Sequence, residues 1–358
     1  MGFMPAVEIS YIRPKNQRLI AVSIDGEQAS PSLAQAKKLR ELDKDGKLNG
    51  DVIDGILSEK KKEDRGVIIS TAELEKYFGK EATPAKMKEA IAASRLGADV
   101  NFITAVGGDT FGKGCDLDLQ KEGVSGRFII PFPQEKTACA FVINTADAKS
   151  EVYVYPGAIR SVTAANIAQY QEVIASSALL LVQNEVSEEA LCEAISIAGK
   201  QGIEIIYNPA PARPMPEKIF QYITVLTPNE TEAAILTGQD PEKPLDVDVA
   251  LARLHGLGVK NVIITMGEHG SIVSTPDGRW QVEALRGKVV STTGAGDCYN
   301  AALAVHYVQT HEILESAEYA SVASGLQVQR PGVIANLPYQ EEMDVVFPKY
   351  CSKLLHRQ

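Results

Sequence analysis

The chain has 358 residues, 45% of them hydrophobic and 23% charged, the balance of a folded globular protein rather than of a disordered or fibrous chain. A formal net charge of −10 argues against broad binding to nucleic acid or to an anionic membrane surface, so an anionic ligand has to be held by local devices. The longest apolar stretches, such as Ala175 to Val182, fall far short of the roughly 18 residues of a spanning helix, and five cysteines without a C-x-x-C pair point to reduced thiols, so a cytoplasmic location without membrane contact is expected.

Residues 1–87 have a texture of their own. Ala6–Ile12 and Leu19–Ile24 alternate as a hairpin would, around Pro14-Lys15-Asn16-Gln17. Three short, charged helices are predicted to follow: one from Ser32 with Gln35 as a capping box, one after Asn49, and one from Ser70 with Glu73, stopping at Gly79. The mixed-sign run Glu59–Arg65 reads as a solvated linker.

From about residue 88 onward, apolar runs alternate with helical segments, the pattern of βαβ units and a mostly parallel sheet. The predicted strands are Val100–Ala105, Ala178–Gln183, Ile203–Asn208, Ile223–Thr227 and Val262–Met266. A separate antiparallel pair is predicted for Lys136–Asn144 and Glu151–Tyr155, joined around Asp147-Ala148-Lys149. Several strands end in polar residues, including Gln183-Asn184-Glu185 and Thr227-Pro228-Asn229. Open α/β sheets bind ligands beyond the carboxyl ends of their strands, which puts the chemistry there.

Ser291-Thr292-Thr293-Gly294-Ala295-Gly296-Asp297 lies between Val289-Val290, read as a strand end, and an apolar helix. Its glycines let the backbone turn sharply and aim successive N–H groups at one point, where the helix adds its positive end. Such an anion hole, with a carboxylate at its mouth, suits phosphoryl transfer, in which a protein supplies mainly position and charge stabilisation. Asp297 could equally cap the helix, Asn229 with Glu232 form a plain capping box, and Glu185 cap the helix that follows it.

In order along the chain, Asn208-Pro209-Ala210-Pro211-Ala212, Thr227-Pro228-Asn229-Glu230-Thr231-Glu232, Thr265-Met266-Gly267-Glu268-His269-Gly270 and the run to Asp297 resemble the ribokinase-like carbohydrate kinase family. The resemblance extends from about Ala90 through Arg95-Leu96-Gly97, Gly107–Gly112 and Tyr155-Pro156-Gly157-Ala158 to Arg330-Pro331-Gly332 and about Pro338. It implies a three-layer α/β/α fold with a truncated lid, preceded by a small, mainly helical N-terminal segment. The expected domains are 1–87, 88–345 and a tail, 346–358.

The same resemblance implies ATP-dependent phosphorylation of a sugar's primary hydroxyl, ribose foremost. Asp297 would be the proton acceptor, Gly294, Ala295 and Gly296 the anion-hole amides, and Glu185 a sugar contact. Asn229, Thr265, Met266, Gly267, Glu268, His269, Gly270, Gly296 and Ser321 would line the ATP site. Glu232 would act on magnesium through water, and Ser291, Thr293, Gln327, Arg330, Gly332 and Asn336 match a monovalent-cation site for potassium. A homodimer is a further expectation, and nucleic acid is not expected as a partner.

Two departures stand out. Ser291 replaces the family's usual Asp at the monovalent-cation site. The glycine and asparagine positions that normally lead into the helix ending in R-L-G read Thr83-Pro84-Ala85-Lys86-Met87-Lys88 here, while residues 31–89 resemble the C-terminal stretch of ParB-type partition proteins. The alternative reading is therefore a nucleotide-binding but catalytically impaired fusion.

Overall fold

The computed structural model describes residues 7–9, 87–144, 150–332 and 334–358. In chain order the strands and helices begin with β1 (Val7–Ile9), α1 (Lys88–Arg95), β2 (Thr104–Gly107), α2 (Thr110–Lys121), β3 (Ile129–Phe132), β4 (Cys139–Asn144) and β5 (Ser150–Tyr155). Next come α3 (Ala164–Ala168), α4 (Gln171–Ala175), β6 (Leu179–Gln183), α5 (Glu188–Lys200), β7 (Glu204–Asn208), β8 (Val225–Leu226), α6 (Glu230–Leu236) and α7 (Val247–Gly256). The chain ends with β9 (Asn261–Thr265), β10 (Ser271–Thr275), β11 (Gly278–Val282), α8 (Ala295–Thr310), α9 (Ile313–Val328), α10 (Gln340–Val346) and β12 (Leu355–Arg357).

Two compact units emerge, one including Val106–Cys115 and Pro131–Ala158, the other Lys86–Ala105, Asp116–Ile130 and Ile159–Gln358. In the first, β4 and β5 form the antiparallel pair expected from their alternation, with Cys139 opposite Tyr155 and Asn144 opposite Ser150. Val7–Ile9 is a strand as its pattern suggests, and it pairs in parallel with β4. Its predicted hairpin partner Leu19–Ile24, the three N-terminal helices and nearly all of the segment resembling partition proteins lie outside the described residues. Asp109 of the Gly107–Gly112 motif is structural: its carboxylate accepts from the Gly112 N–H at 2.9 Å, the Thr137 N–H at 2.9 Å and the Thr137 hydroxyl at 2.6 Å.

The second unit is built on a seven-stranded sheet in the order β12-β11-β10-β9-β8-β7-β6. Strands β6 to β9 run parallel, whereas β10, β11 and β12 are antiparallel additions. The inner parallel strands β7 to β9 are covered on both faces, as their unbroken apolar runs require: Ile205, Ile206, Val225, Leu226, Val262, Ile263 and Ile264 are all fully buried. The strand expected at Val100–Ala105 forms later, as β2.

Of the last thirteen residues, expected as a tail, Leu355–Arg357 joins this sheet. β12 pairs with β11, and the buried Glu318 carboxylate accepts the Ser352 and Leu354 N–H groups at 3.1 Å each. A buried carboxylate needs such partners to offset its lost hydration, so the segment and Glu318 stabilise each other.

Helices α8 and α9 pack against each other and are buried almost all round, the sequence signature of a central helix. Helix α1 packs on α8 through Ala90, Ile91, Ala92 and Ala93. Arg95 at the end of α1 fixes this arrangement. Its guanidinium forms a two-pronged bond to Glu122 at 2.8 and 2.9 Å, donates to the Ile334 carbonyl at 2.6 Å and lies 4.5 Å over the Tyr339 ring. With its side chain only 7% exposed, truncating it removes both bonds to Glu122 and those to the Ile334 and Leu337 carbonyls. Arg95→Ala is expected to destabilise the fold by about 2–4 kcal/mol, read as a lowered midpoint in urea denaturation.

Candidate active site

The glycine-rich run forms a turn into α8, though not from a strand. Val289 and Val290 are exposed, and the N–H groups of Val290 and Ser291 both donate to the Val328 carbonyl at the end of α9, at 2.7 and 3.1 Å, which leaves no ladder for a strand. Gly294 is the N-cap of α8 with φ of 80°, a left-handed conformation that residues with a Cβ adopt only at a cost. The Ala295 N–H closes back on the Thr292 carbonyl at 3.2 Å, so it is not part of the hole in this state. Among the described residues nothing engages the N–H groups of Gly294 and Gly296, as the first turn of a helix leaves its donors.

Asp297 sits in the first turn of α8, and with Gly294 as the cap residue it is free of the capping role. Its Oδ1 accepts from the Gln183 side-chain amide at 3.2 Å, and the same nitrogen donates to Glu89 Oε1 at 3.2 Å. One amide thus holds two carboxylates, one from α1 and one from α8, at the carboxyl end of β6. Glu185 follows two residues later. Ser187, whose side chain accepts from the Ala190 N–H, caps α5, so Glu185 is not needed there.

Burial sets the electrostatics. Desolvation in this densely packed recess pushes the Asp297 carboxyl up to about 6; Lys88 pulls it down, Glu185 pushes it further up, and the Gln183 hydrogen bond lowers it. Burial likewise holds Glu89 well above the usual carboxylate range, with the Asp297 and Glu185 charges adding to the effect. A carboxylate poised near neutrality is what general-base chemistry asks for.

The helix start is tied to the sheet by Asn300, buried one turn further along α8. Its amide donates to the Gly296 carbonyl at 2.9 Å, while its oxygen accepts from the Thr227 hydroxyl at 2.6 Å just beyond β8. Beyond β6, Asn184 accepts from the Tyr207 hydroxyl at 2.6 Å and donates to the Pro211 carbonyl at 2.9 Å, anchoring the Asn208–Ala212 loop.

The residues expected at the nucleotide form a second group. Asn229 and Glu232 make a complete capping box for α6, with bonds of 2.8 and 2.9 Å, and Asn229 bridges in parallel to Thr265 at the end of β9. Met266 to Gly270 make a tight turn closed by the Met266 N–H on the Gly270 carbonyl at 2.7 Å, with Gly267, Glu268 and His269 exposed. Gly270, at φ of 79°, admits no side chain, because a Cβ would stand 2.0 Å from the Val282 carbonyl oxygen. Ser321 is not brought to this turn by its hydroxyl, which is buried and donates to the Glu283 carbonyl at 2.7 Å.

For the cations, the donor chemistry fits in both places. Glu232 Oε2 serves the capping box, while Oε1 takes no hydrogen bond from the described residues and is available to a metal-bound water. Among the described residues no group of three or more His, Cys, Asp or Glu side chains converges on one point, so magnesium would rely on water and phosphate oxygens. At the monovalent-cation positions, the oxygens Thr293 Oγ1, Gln327 Oε1 and Asn336 Oδ1 are buried without a partner, the condition a bound cation would relieve. Gln327 also donates to the Thr293 carbonyl at 2.9 Å. The Arg330 side chain pairs with Glu342, which leaves only its backbone, and that of Gly332, for ligation.

Sequence reasoning missed Lys88, Glu89, Gln183 and Asn300. Gln183 was legible as the polar end of a strand, and Lys88-Glu89 as a charged pair opening an otherwise apolar helix.

The family described as pfkB family carbohydrate kinase matches residues 85–340. The chain is 29% identical to a ribokinase of Staphylococcus aureus over 295 residues, 82% of this chain and 96% of that protein. It is 33% identical over 254 residues to a bifunctional ribokinase/ribose-5-phosphate isomerase A of Fructilactobacillus sanfranciscensis, covering 71% of this chain but only 47% of that longer protein. Among solved structures, Arabidopsis thaliana ribokinase complexed with ribose and ATP superposes with a TM-score of 0.67 at 26% identity, over 74% of this chain and 87% of that one.

Proposed function

Since the chain belongs to the pfkB family of carbohydrate kinases, we propose that it phosphorylates the primary hydroxyl of ribose at the expense of ATP, with Asp297 as the general base. The observation that carries this reading is the Asp297 carboxylate at the glycine turn, held by the Gln183 amide and raised toward neutrality. In the reaction the hydroxyl proton passes to Asp297, the hydroxyl oxygen bonds to the γ-phosphorus, and the bond from that phosphorus to the β–γ bridging oxygen breaks, its electron pair leaving with ADP. Gly294 and Gly296 offer N–H groups to the transferred group, and Glu185 offers an acceptor to a sugar hydroxyl. Asn229 and the turn from Thr265 to Gly270 bracket the nucleotide. Magnesium, reached from Glu232 through water, would neutralise phosphate charge.

One observation favours the alternative of an impaired nucleotide binder: Lys88 stands where the resemblance expects an asparagine, and it is buried at the start of α1. ADP release from magnesium-ATP, with and without ribose, separates the two. Ribose-dependent release supports the kinase reading; ATP binding without such release supports the impaired one.

Asp297→Asn is expected to lower ribose-dependent turnover by about 10²–10⁴-fold while ATP binding survives, and unchanged turnover would reject Asp297 as the base. Because the carboxyl must be ionised to accept a proton, kcat/KM of the native chain is expected to fall as pH drops through about 6, measured from pH 5 to 8. Ser291→Asp adds a carboxylate to the set with orphaned oxygens Thr293, Gln327 and Asn336; it is expected to increase activation in a potassium titration, and a flat titration would contradict the cation assignment.

A further inference from the structure

Lys88 is the buried charge that the reading above leaves without a task. It is 4% exposed, in the first turn of α1, and the packing of α1 on α8 delivers its side chain to the glycine turn. Measured from the point where a Cβ on Gly294 would stand, Lys88 Nζ is 3.4 Å away, Lys88 Cδ 3.2 Å and Asp297 Oδ2 3.7 Å. The ammonium and the carboxylate of the proposed base therefore flank the same left-handed glycine.

A lysine is strongly hydrated, and burying one is unfavourable unless negative charge repays it. Asp297 and Glu185 supply that charge at rest, and Lys88 in turn pulls down the Asp297 carboxyl that burial pushes up. The same two acids would repel a polyphosphate. During transfer the proton of the sugar hydroxyl neutralises Asp297, and negative charge is spread over the equatorial oxygens of the phosphoryl group. An ammonium already at the turn gains an attractive partner at that moment, and no solvent has to reorganise to supply it.

We propose that Lys88 is a catalytic residue of the phosphoryl transfer, its ammonium contacting the transferred group at the Gly294 turn and stabilising the charge that develops there. This assignment rests on the kinase reading with Asp297 as base. It gives the atypical front end of the domain a positive role, because the residue that departs from the expected asparagine carries the charge.

The groups facing Asp297 are Lys88 and Glu89 from α1, Glu185 beyond β6, and Cys298 on its own helix, whose thiol burial and the Asp297 charge push up. Of these Lys88 is the cation, so its removal has a signature that mere loss of packing lacks. In Lys88→Met the acid limb of kcat/KM is expected to move to higher pH, because the acids around Asp297 lose their counter-charge. The kcat is expected to fall by about 10²–10³-fold, with the KM for ATP changed less than about threefold. Lys88→Arg, which keeps the charge but not the shape, is expected to recover part of the loss and to hold the acid limb in place. Thermal melting and ATP binding of both variants establish that they are folded.

Wild-type turnover with kcat unchanged or increased in Lys88→Met would overturn the inference alone, the increase marking the ammonium as a plug of the hole. Equal losses in Met and Arg variants with an unmoved acid limb would also overturn it. Absence of ribose-dependent turnover in the wild type would overturn the kinase reading and this inference with it.

Discussion

The packing of α1 against α8 is the constraint on which the site depends. Ala90, Ile91, Ala92 and Ala93 bury the apolar side of α1 on the central helix, and Arg95 fastens its far end to Glu122 and the Ile334 carbonyl. Small side chains allow the close approach, and the two residues that open α1 are thereby carried to the start of α8. Glu89 arrives on the Gln183 amide and Lys88 at the Gly294 turn. Were α1 displaced by a turn, Asp297 would keep its place on α8 but lose the surroundings that set its proton affinity.

Those surroundings combine opposing effects, of which burial is the largest. Desolvation and the negative charge of Glu185 favour a protonated Asp297, while Lys88, the Gln183 donor and the positive end of α8 favour the carboxylate. The outcome lies near neutrality, where one group can be ionised before transfer and protonated after it. The carboxyl ends of β6 and β8 supply the supports through Gln183 and through Thr227 with Asn300, so the rigid sheet, more than the turn in which it resides, positions Asp297, the proposed base.

Much of this was legible in the sequence. Periodicity located β6, β7 and β9 to within a residue or so, because their apolar runs are bounded by polar ends, and the order of motifs pointed to the family and to Asp297. Val289-Val290 was misread as a strand because an apolar pair looks the same whether its N–H groups meet a ladder or a helix end. A three-residue edge strand such as Leu355–Arg357 carries too little alternation to declare itself in the sequence. Lys88, Glu89 and Asn300 were missed for another reason: their surroundings come from distant parts of the chain, 94 residues away for Glu89 with Gln183 and 73 for Asn300 with Thr227. Local pattern has no access to contacts made only by helix packing.

The central claim is that a sugar hydroxyl, and not water, receives the γ-phosphoryl group under the control of Asp297. Phosphorus NMR of magnesium-ATP and ribose incubated with the purified chain tests it most directly. The account predicts that ADP signals grow together with a new phosphomonoester signal coupled to the protons of ribose C5. Growth of ADP with inorganic phosphate alone, or no change in ATP beyond binding, would contradict it.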